Sequence, residues 1–222
     1  IVAATLLVTL CFTMTACAAG NPDVLGVSNP TTPLAVSDGS TLSDSEPPIA
    51  YQNDYFGYKC VLPEDWYVLN DEEISEQIDE TNEAFSDSES FKLIRKSLDD
   101  GASVTEFYAY SRNYSQTINI VLSKGKLLDL FLPIPVLLET AMLVSATALE
   151  DMGLTNISHK IEKVDFLGKE NDALNIEGDI QSDTLYQVTF LLRKGFYLST
   201  ISVSGYDQDS LQSLLDYFQV IE

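Results

Sequence analysis

Basic residues are scarce in this sequence. Twelve Lys and Arg stand against 34 Asp and Glu, a formal net charge of −22 over 222 residues. A field of that sign repels phosphate backbones and anionic headgroups, which excludes nucleic acid as a partner and any electrostatic attachment to a membrane surface. It leaves room for a cation such as Ca²⁺ or for a basic partner. Histidine occurs once, as His159. One imidazole cannot build a His-rich zinc site, and a hydrolytic triad would have to run through it. No Gly-x-Ser-x-Gly elbow or Ser-x-x-Lys motif supplies a nucleophile, and Lys124-Gly125-Lys126 lacks the surroundings of a phosphate loop. No catalytic, metal-binding or cofactor-binding residue is therefore assigned, and a non-enzymatic protein is expected. Cysteine is equally sparse: Cys11, Cys17 and Cys60. Nor does any apolar run reach the roughly 20 residues that span a bilayer. The internal candidate, from Leu127 to Leu138, holds Asp129, Pro133 and Pro135, and Glu139 follows it.

What is present begins with Ile1 to Ala16, an uncharged apolar stretch of the length of a secretory signal. It closes on Met14-Thr15-Ala16-Cys17. This segment resembles the lipobox of bacterial lipoproteins: an apolar residue, two small ones, then the cysteine that is lipidated and becomes the mature N-terminus. Cys11 fits less well, because Leu10 before it is bulky. The alternative is an ordinary secretory peptide cut after Ala16 or Ala18, leaving a soluble protein. The absence of Met and of Lys or Arg ahead of Ile1 leads us to expect a basic leader upstream. On the lipobox reading, residues 1–16 are the signal peptide and Cys17 is the lipidation site. A diacylglyceryl thioether there would anchor the protein to the bilayer on the extracytoplasmic face.

From Ala18 to Pro48 the chain is rich in Ser, Thr, Pro, Asn, Asp and Gly, and five prolines interrupt any regular element. Residues 17–50 read as a lipidated cysteine on a flexible tether, with an end-to-end distance of about 30 Å for roughly 30 residues. Residues 51–222 form one domain large enough for a real core. Cys60 is then the only thiol left beyond the anchor, so no internal disulfide is expected and the thiol reads as a buried apolar group.

Within that domain the pattern predicts a strand over Tyr55–Leu62, a turn at Pro63-Glu64-Asp65 and a resumed strand at Trp66. Asn70 is placed to cap a helix whose first turn holds Asp71, Glu72 and Glu73, with Ile74, Ile78 and Phe85 near one face. Phe91, Ile94 and Leu98 suggest a second helical stretch. Two strands follow at 104–110 and 117–122, then a helix over 135–152 ending before Gly153. The last third reads as a meander over 157–166, 173–180, 185–193 and 196–204, with reversals at Gly168 and at Lys194-Gly195. On the third of these strands Tyr186, Val188, Phe190 and Leu192 share a face. A closing helix over 207–218, capped by Asp207, gathers Leu211, Leu214, Leu215 and Phe218.

The expected class is α+β: an antiparallel sheet flanked by helices on both faces, an α/β/α sandwich. An aromatic strand, then Leu62-Pro63-Glu64-Asp65-Trp66, then an acidic helix, resembles the opening of PsbP-like domains. The pattern also resembles a group of lipoproteins of unknown function from Gram-positive bacteria. The resemblance implies the sandwich fold and transfers no functional residue. Two further features invite function. Glu72, Glu76 and Glu80 repeat every fourth residue, so like charges share a helix face that is either solvated or a docking surface for cations or basic peptide. Tyr51, Tyr55, Tyr58, Trp66 and Tyr67 lie close together and could stack on sugars or anchor a protein, or simply fill the sheet. The leading expectation is a lipid-anchored envelope protein that binds or scaffolds a partner. A small-ligand, sugar or cation-binding module is the alternative, and an envelope hydrolase the remote one.

Overall fold

In the computed structural model, residues 49–84, 87, 103–125 and 129–221 are described. Cys17, the signal segment, the tether up to residue 48, Phe85 and the helical stretch expected around Phe91–Leu98 lie outside them, while Ile49 and Ala50, assigned to the tether, open the first strand. The described residues form mostly antiparallel sheet with three helices. In chain order the elements are β1 (Ile49–Asn53), β2 (Tyr58–Val61), β3 (Trp66–Val68), α1 (Asp71–Ala84), β4 (Ser103–Ser111), β5 (Gln116–Lys124), α2 (Ile134–Asp151), β6 (Thr155–Phe166), β7 (Lys169–Ile180), β8 (Asp183–Lys194), β9 (Tyr197–Gly205), α3 (Gln208–Leu215) and β10 (Phe218–Val220).

Seven strands make one antiparallel sheet in the order β3-β4-β5-β9-β8-β7-β6. The meander is the core of that order, each strand pairing with the one before it. Its tightest reversal sits between Lys194 and Tyr197, which pair across it. Gly195 is needed there twice over. Its φ is +56°, and a Cβ would stand 2.7 Å from the Tyr55 hydroxyl.

A second, three-stranded sheet has the order β1-β2-β10. It corrects two expectations. The strand read from Tyr55 starts only at Tyr58, because residues 54–57 turn and the Gly57 N–H bonds the Asn53 carbonyl at 2.8 Å, and a further strand, β1, precedes that turn. The closing helix ends at Leu215, and Phe218 instead opens β10, pairing with Cys60 of β2.

Helix ends follow their capping chemistry. Asn70 Oδ1 accepts from the N–H groups of Glu72 and Glu73, both at 3.0 Å, while Glu73 Oε2 accepts from the Asn70 N–H at 2.8 Å. This reciprocal box satisfies orphan donors at the start of α1. Asp207 caps α3 by accepting from the Asp209 N–H at 3.2 Å. Asp207→Ala is expected to cost about 1 kcal/mol, read as a lower urea midpoint at unchanged slope. The loop before α2 is held by Arg193, which donates to the carbonyls of Asp129 (2.8 Å) and Leu132 (2.7 Å).

Alternation along the large sheet sorts its residues into two hydrophobic clusters. One gathers Tyr108, Leu174 and Ile176 with Ile74 of α1 and Leu138, Met142 and Leu149 of α2. The other gathers Phe107, Ile118, Phe190 and Ile201 with Leu211, Leu214 and Leu215 of α3 and Tyr58, Cys60 and Phe218 of the small sheet. Cys60 is fully buried, and burial pushes its thiol up to about 12. That is an inert packed thiol, as its apolar setting in the sequence suggested.

Candidate functional site

A concavity on the large sheet follows from how far α3 reaches. The helix packs on β8 and β9 and stops there. The same face of β7 and β6 continues beyond it without a helix above, and a groove of about 420 Å³ opens along the step. This is the size range of small-molecule sites.

Strand register sets the floor. Ser158 lies opposite Glu177, and Glu177 opposite Tyr186; one step along, Lys160 lies opposite Asn175, and Asn175 opposite Val188. Glu162 and Val164 continue the face on β6, while Gln208, Leu211, Gln212 and Leu215 of α3 form the wall. Lys160 Nζ and Glu162 Oε2 pair at 3.0 Å along the floor. The surface therefore alternates short apolar patches with amides, a hydroxyl, one aromatic ring, the Lys160–Glu162 ion pair and the further carboxylate of Glu177. Such a lining can place hydrogen bonds on a polar ligand and stack its flat face on Tyr186. The sequence carried a signal for it that went unread: β6 alternates Ser158, Lys160, Glu162 and Val164 on the face that its neighbours fill with Ala173, Val188 and Phe190.

Of the residues singled out from sequence, His159 is among those that line the groove, and the others fall elsewhere. His159 points to the opposite face of β6, where Nε2 lies 3.2 Å from Glu139 Oε1 of α2. The partner of its ring is thus a carboxylate. The carboxylates of α1 stand mostly exposed, and among the described residues no three His, Cys, Asp or Glu groups converge as a metal site.

The aromatic group divides. Tyr58 is buried, and its hydroxyl pairs with Ser199 Oγ at 2.8 Å. Tyr51 donates to Glu106 Oε2 at 2.6 Å, and Asn53 Nδ2 donates to the Tyr51 oxygen at 3.0 Å. Burial raises the Glu106 carboxyl above its usual range, and the bonds from Tyr51 and Asn53 offset part of that rise. Trp66 meets Tyr217 edge-on at 5.8 Å. Tyr67 stays outside and stacks on Tyr110 at 5.5 Å, and Tyr110 stacks on Tyr114 at 5.0 Å. These form a short ladder of tyrosines beside the edge strand β3.

No protein-family model matches the chain, and no curated protein sequence matches it. Similar solved structures include the following three. The cyanobacterial PsbP (CyanoP) of Synechocystis sp. PCC 6803 is 14% identical, over 80% of this chain and 97% of that one, with a TM-score of 0.45. LpqN of Mycobacterium tuberculosis, involved in cell envelope biogenesis, is 12% identical over 74% and 83%, with a TM-score of 0.37. PA94 of Pseudomonas aeruginosa, a protein of unknown function and putative regulator, is 9% identical over 43% and 63%, with a TM-score of 0.30. The family that the Pro63-to-Trp66 segment resembles is thus represented among them. At these identities and scores the likeness conveys no ligand, partner or activity to this chain. Among the described residues no helix is long and apolar enough to cross a membrane.

Proposed function

We propose that this chain is an extracytoplasmic, lipid-anchored binding protein without catalytic activity, and that its groove takes a small, uncharged, hydroxyl-rich ligand such as a neutral sugar. The scaffold is read as an α/β/α sandwich of the PsbP-like kind, with α1 and α2 over one face and α3 with the small sheet over the other. The anchor is Cys17, at the end of the lipobox-like segment. The observation that carries the ligand reading is the groove beside α3, with Tyr186, Asn175, Gln208 and Gln212 around a Lys160–Glu162 pair that cancels its own charge. The net charge of −22 disfavours anionic ligands, and the amides suit hydroxyl groups.

Calorimetric titration of the purified protein with a panel of neutral envelope saccharides tests this. One saccharide is expected to bind, and Tyr186→Ala is expected to weaken it at least about tenfold, roughly 1.4 kcal/mol, by removing the stacking face. Heat from none of the panel would remove the sugar reading. It would favour a second one, docking of an envelope protein, for which the exposed ladder of Tyr67, Tyr110 and Tyr114 is the supporting observation.

A further inference from the structure

The large sheet ends in two unlike edges. On one side β3 is three residues long, which leaves little backbone to pair. On the other side β6 runs for twelve residues, and among the described residues no strand pairs with its outer side. A long open edge is a template for another strand, and proteins normally shorten, bend or cover one. β6 is bent only at its start. Its register with β7 shifts between Thr155 and Ser158, and Asn156 there has φ +51°. From Ser158 to Phe166 the pairing with β7 is unbroken, so the outer side of that stretch is a regular edge.

The side chains along this stretch are complementary to themselves. Antiparallel pairing of two identical strands about a two-fold axis sets each residue opposite one on the same face. With Ile161 on the axis, Lys160 lies opposite Glu162 of the second copy, and Glu162 opposite Lys160 of that copy. Each strand already pairs its own Lys160 and Glu162 at 3.0 Å, so the four charges alternate in sign around a square. Moving the axis to Lys160 sets two lysines opposite each other, and moving it to Glu162 sets two glutamates opposite. Like charges in that position are destabilising, so the register centred on Ile161 is favoured over both neighbours. On the other face Ile161 is half-buried at the margin of the cluster beneath α2, and it meets its own copy on the axis. His159 lies opposite Lys163 of the second copy there, but each holds a carboxylate of its own chain, Glu139 at 3.2 Å and Asp172 at 2.8 Å.

We propose that β6 is a dimerisation edge, and that two copies of this chain join antiparallel through residues 158–164, centred on Ile161, into one continuous sheet. The charge pattern selects the occupant: the strand that matches this edge in register and sign is the edge itself. The net charge of −22 on each copy opposes the contact. That repulsion is screened beyond about 8 Å at physiological salt. Directly opposed side chains have Cβ atoms about 4.5–5.5 Å apart, inside that length. The local pattern therefore sets the register, while the net charge keeps the affinity low. A two-fold axis perpendicular to the sheet also keeps Lys160 and Glu162 of both copies on one face, so the two grooves lie side by side. Pairing of this kind is independent of what the groove binds.

Sedimentation equilibrium of the purified protein, run up to about 1 mM because so narrow a contact associates weakly, is expected to show monomer and dimer in equilibrium. Glu162→Lys sets four cations around the axis, and Lys160→Glu sets four anions. Each is expected to raise the dimer dissociation constant at least about tenfold. Mixed in equal amounts, the two variants are expected to form a heterodimer, because a cationic edge then faces an anionic one. The double variant restores the alternation with signs exchanged and is expected to dimerise like the wild type. A wild type that stays monomeric at the highest concentration overturns the proposal. So does a dimer that neither single variant weakens, or a double variant that stays monomeric. Both side chains are largely exposed, 61% and 43%, and circular dichroism checks that the variants fold. Should one fail to fold, the wild type decides alone: the outward amides of residues 158–164 are expected to exchange about threefold more slowly or better in concentrated than in dilute protein, and exchange independent of concentration overturns the pairing.

Discussion

Replacing Cys17 by serine is expected to abolish incorporation of labelled palmitate and to move the protein from the membrane pellet to the soluble fraction. The argument is chemical and then energetic. A thioether needs the sulfur as nucleophile, and a serine hydroxyl does not replace a thiolate in that role. Each buried methylene contributes about 0.8 kcal/mol, one chain of myristoyl length holds only marginally, and two chains hold stably. Nothing else in the sequence offers a second attachment, since a net charge of −22 opposes binding to anionic headgroups. The release should therefore be nearly complete rather than partial. Cys11→Ser is the control, and labelling should persist there because Leu10 fits the small-residue position poorly. Equal labelling of wild type and Cys17→Ser would end the anchored reading while leaving the groove reading intact.

Local chemistry made much of the fold readable. The meander could be traced because Tyr186, Val188, Phe190 and Leu192 alternate without interruption and because Gly195 marks a reversal whose positive φ favours glycine. Asn70 and Asp207 announced their helices, since a capping side chain acts within three residues of itself. What stayed hidden depends on distant partners. β10 is three residues long, and Phe218 looks like one more apolar position of an amphipathic helix until Cys60, far back in the chain, is placed opposite it. The groove is of the same kind. Lys160, Asn175 and Gln208 carry no local signature, and they share a surface only through strand register and the place where α3 stops. The register shift of the β4–β5 pairing between Thr105 and Phe107 is the extreme case. One skipped residue decides whether Thr105 joins Tyr108 beneath α1, and no periodicity in β4 reveals it.

Phe190→Ala is expected to be the most destabilising single truncation in the described core, at about 3–5 kcal/mol. The side chain is fully buried at the middle of β8. Its ring stacks on Phe166 at 4.1 Å, with the planes 14° apart, and Phe166 in turn meets Phe218 edge-on at 5.3 Å. Phe190 thus backs the Phe166 ring that links the outer strand β6 to the small sheet, and its loss leaves a cavity bounded on several sides by rigid strands that cannot close over it. Domains of this kind are stable by roughly 5–15 kcal/mol, so the change removes a large share of the whole. For a domain of this size it corresponds to a melting temperature lower by about 10 °C or more. Phe131→Ala supplies the comparison: that side chain is 78% exposed and should change stability by less than about 0.5 kcal/mol. Urea unfolding followed by circular dichroism measures both, and a Phe190→Ala loss near 1 kcal/mol would show that the stack is not a keystone. The result also bears on the groove, because Glu162, Ala173 and Phe190 occupy successive positions of one row across β6, β7 and β8. A weakened Phe190 would deform the floor and the fold together. Tyr186 stands two same-face positions away along β8, half-buried, so it can be truncated to ask about the ligand alone.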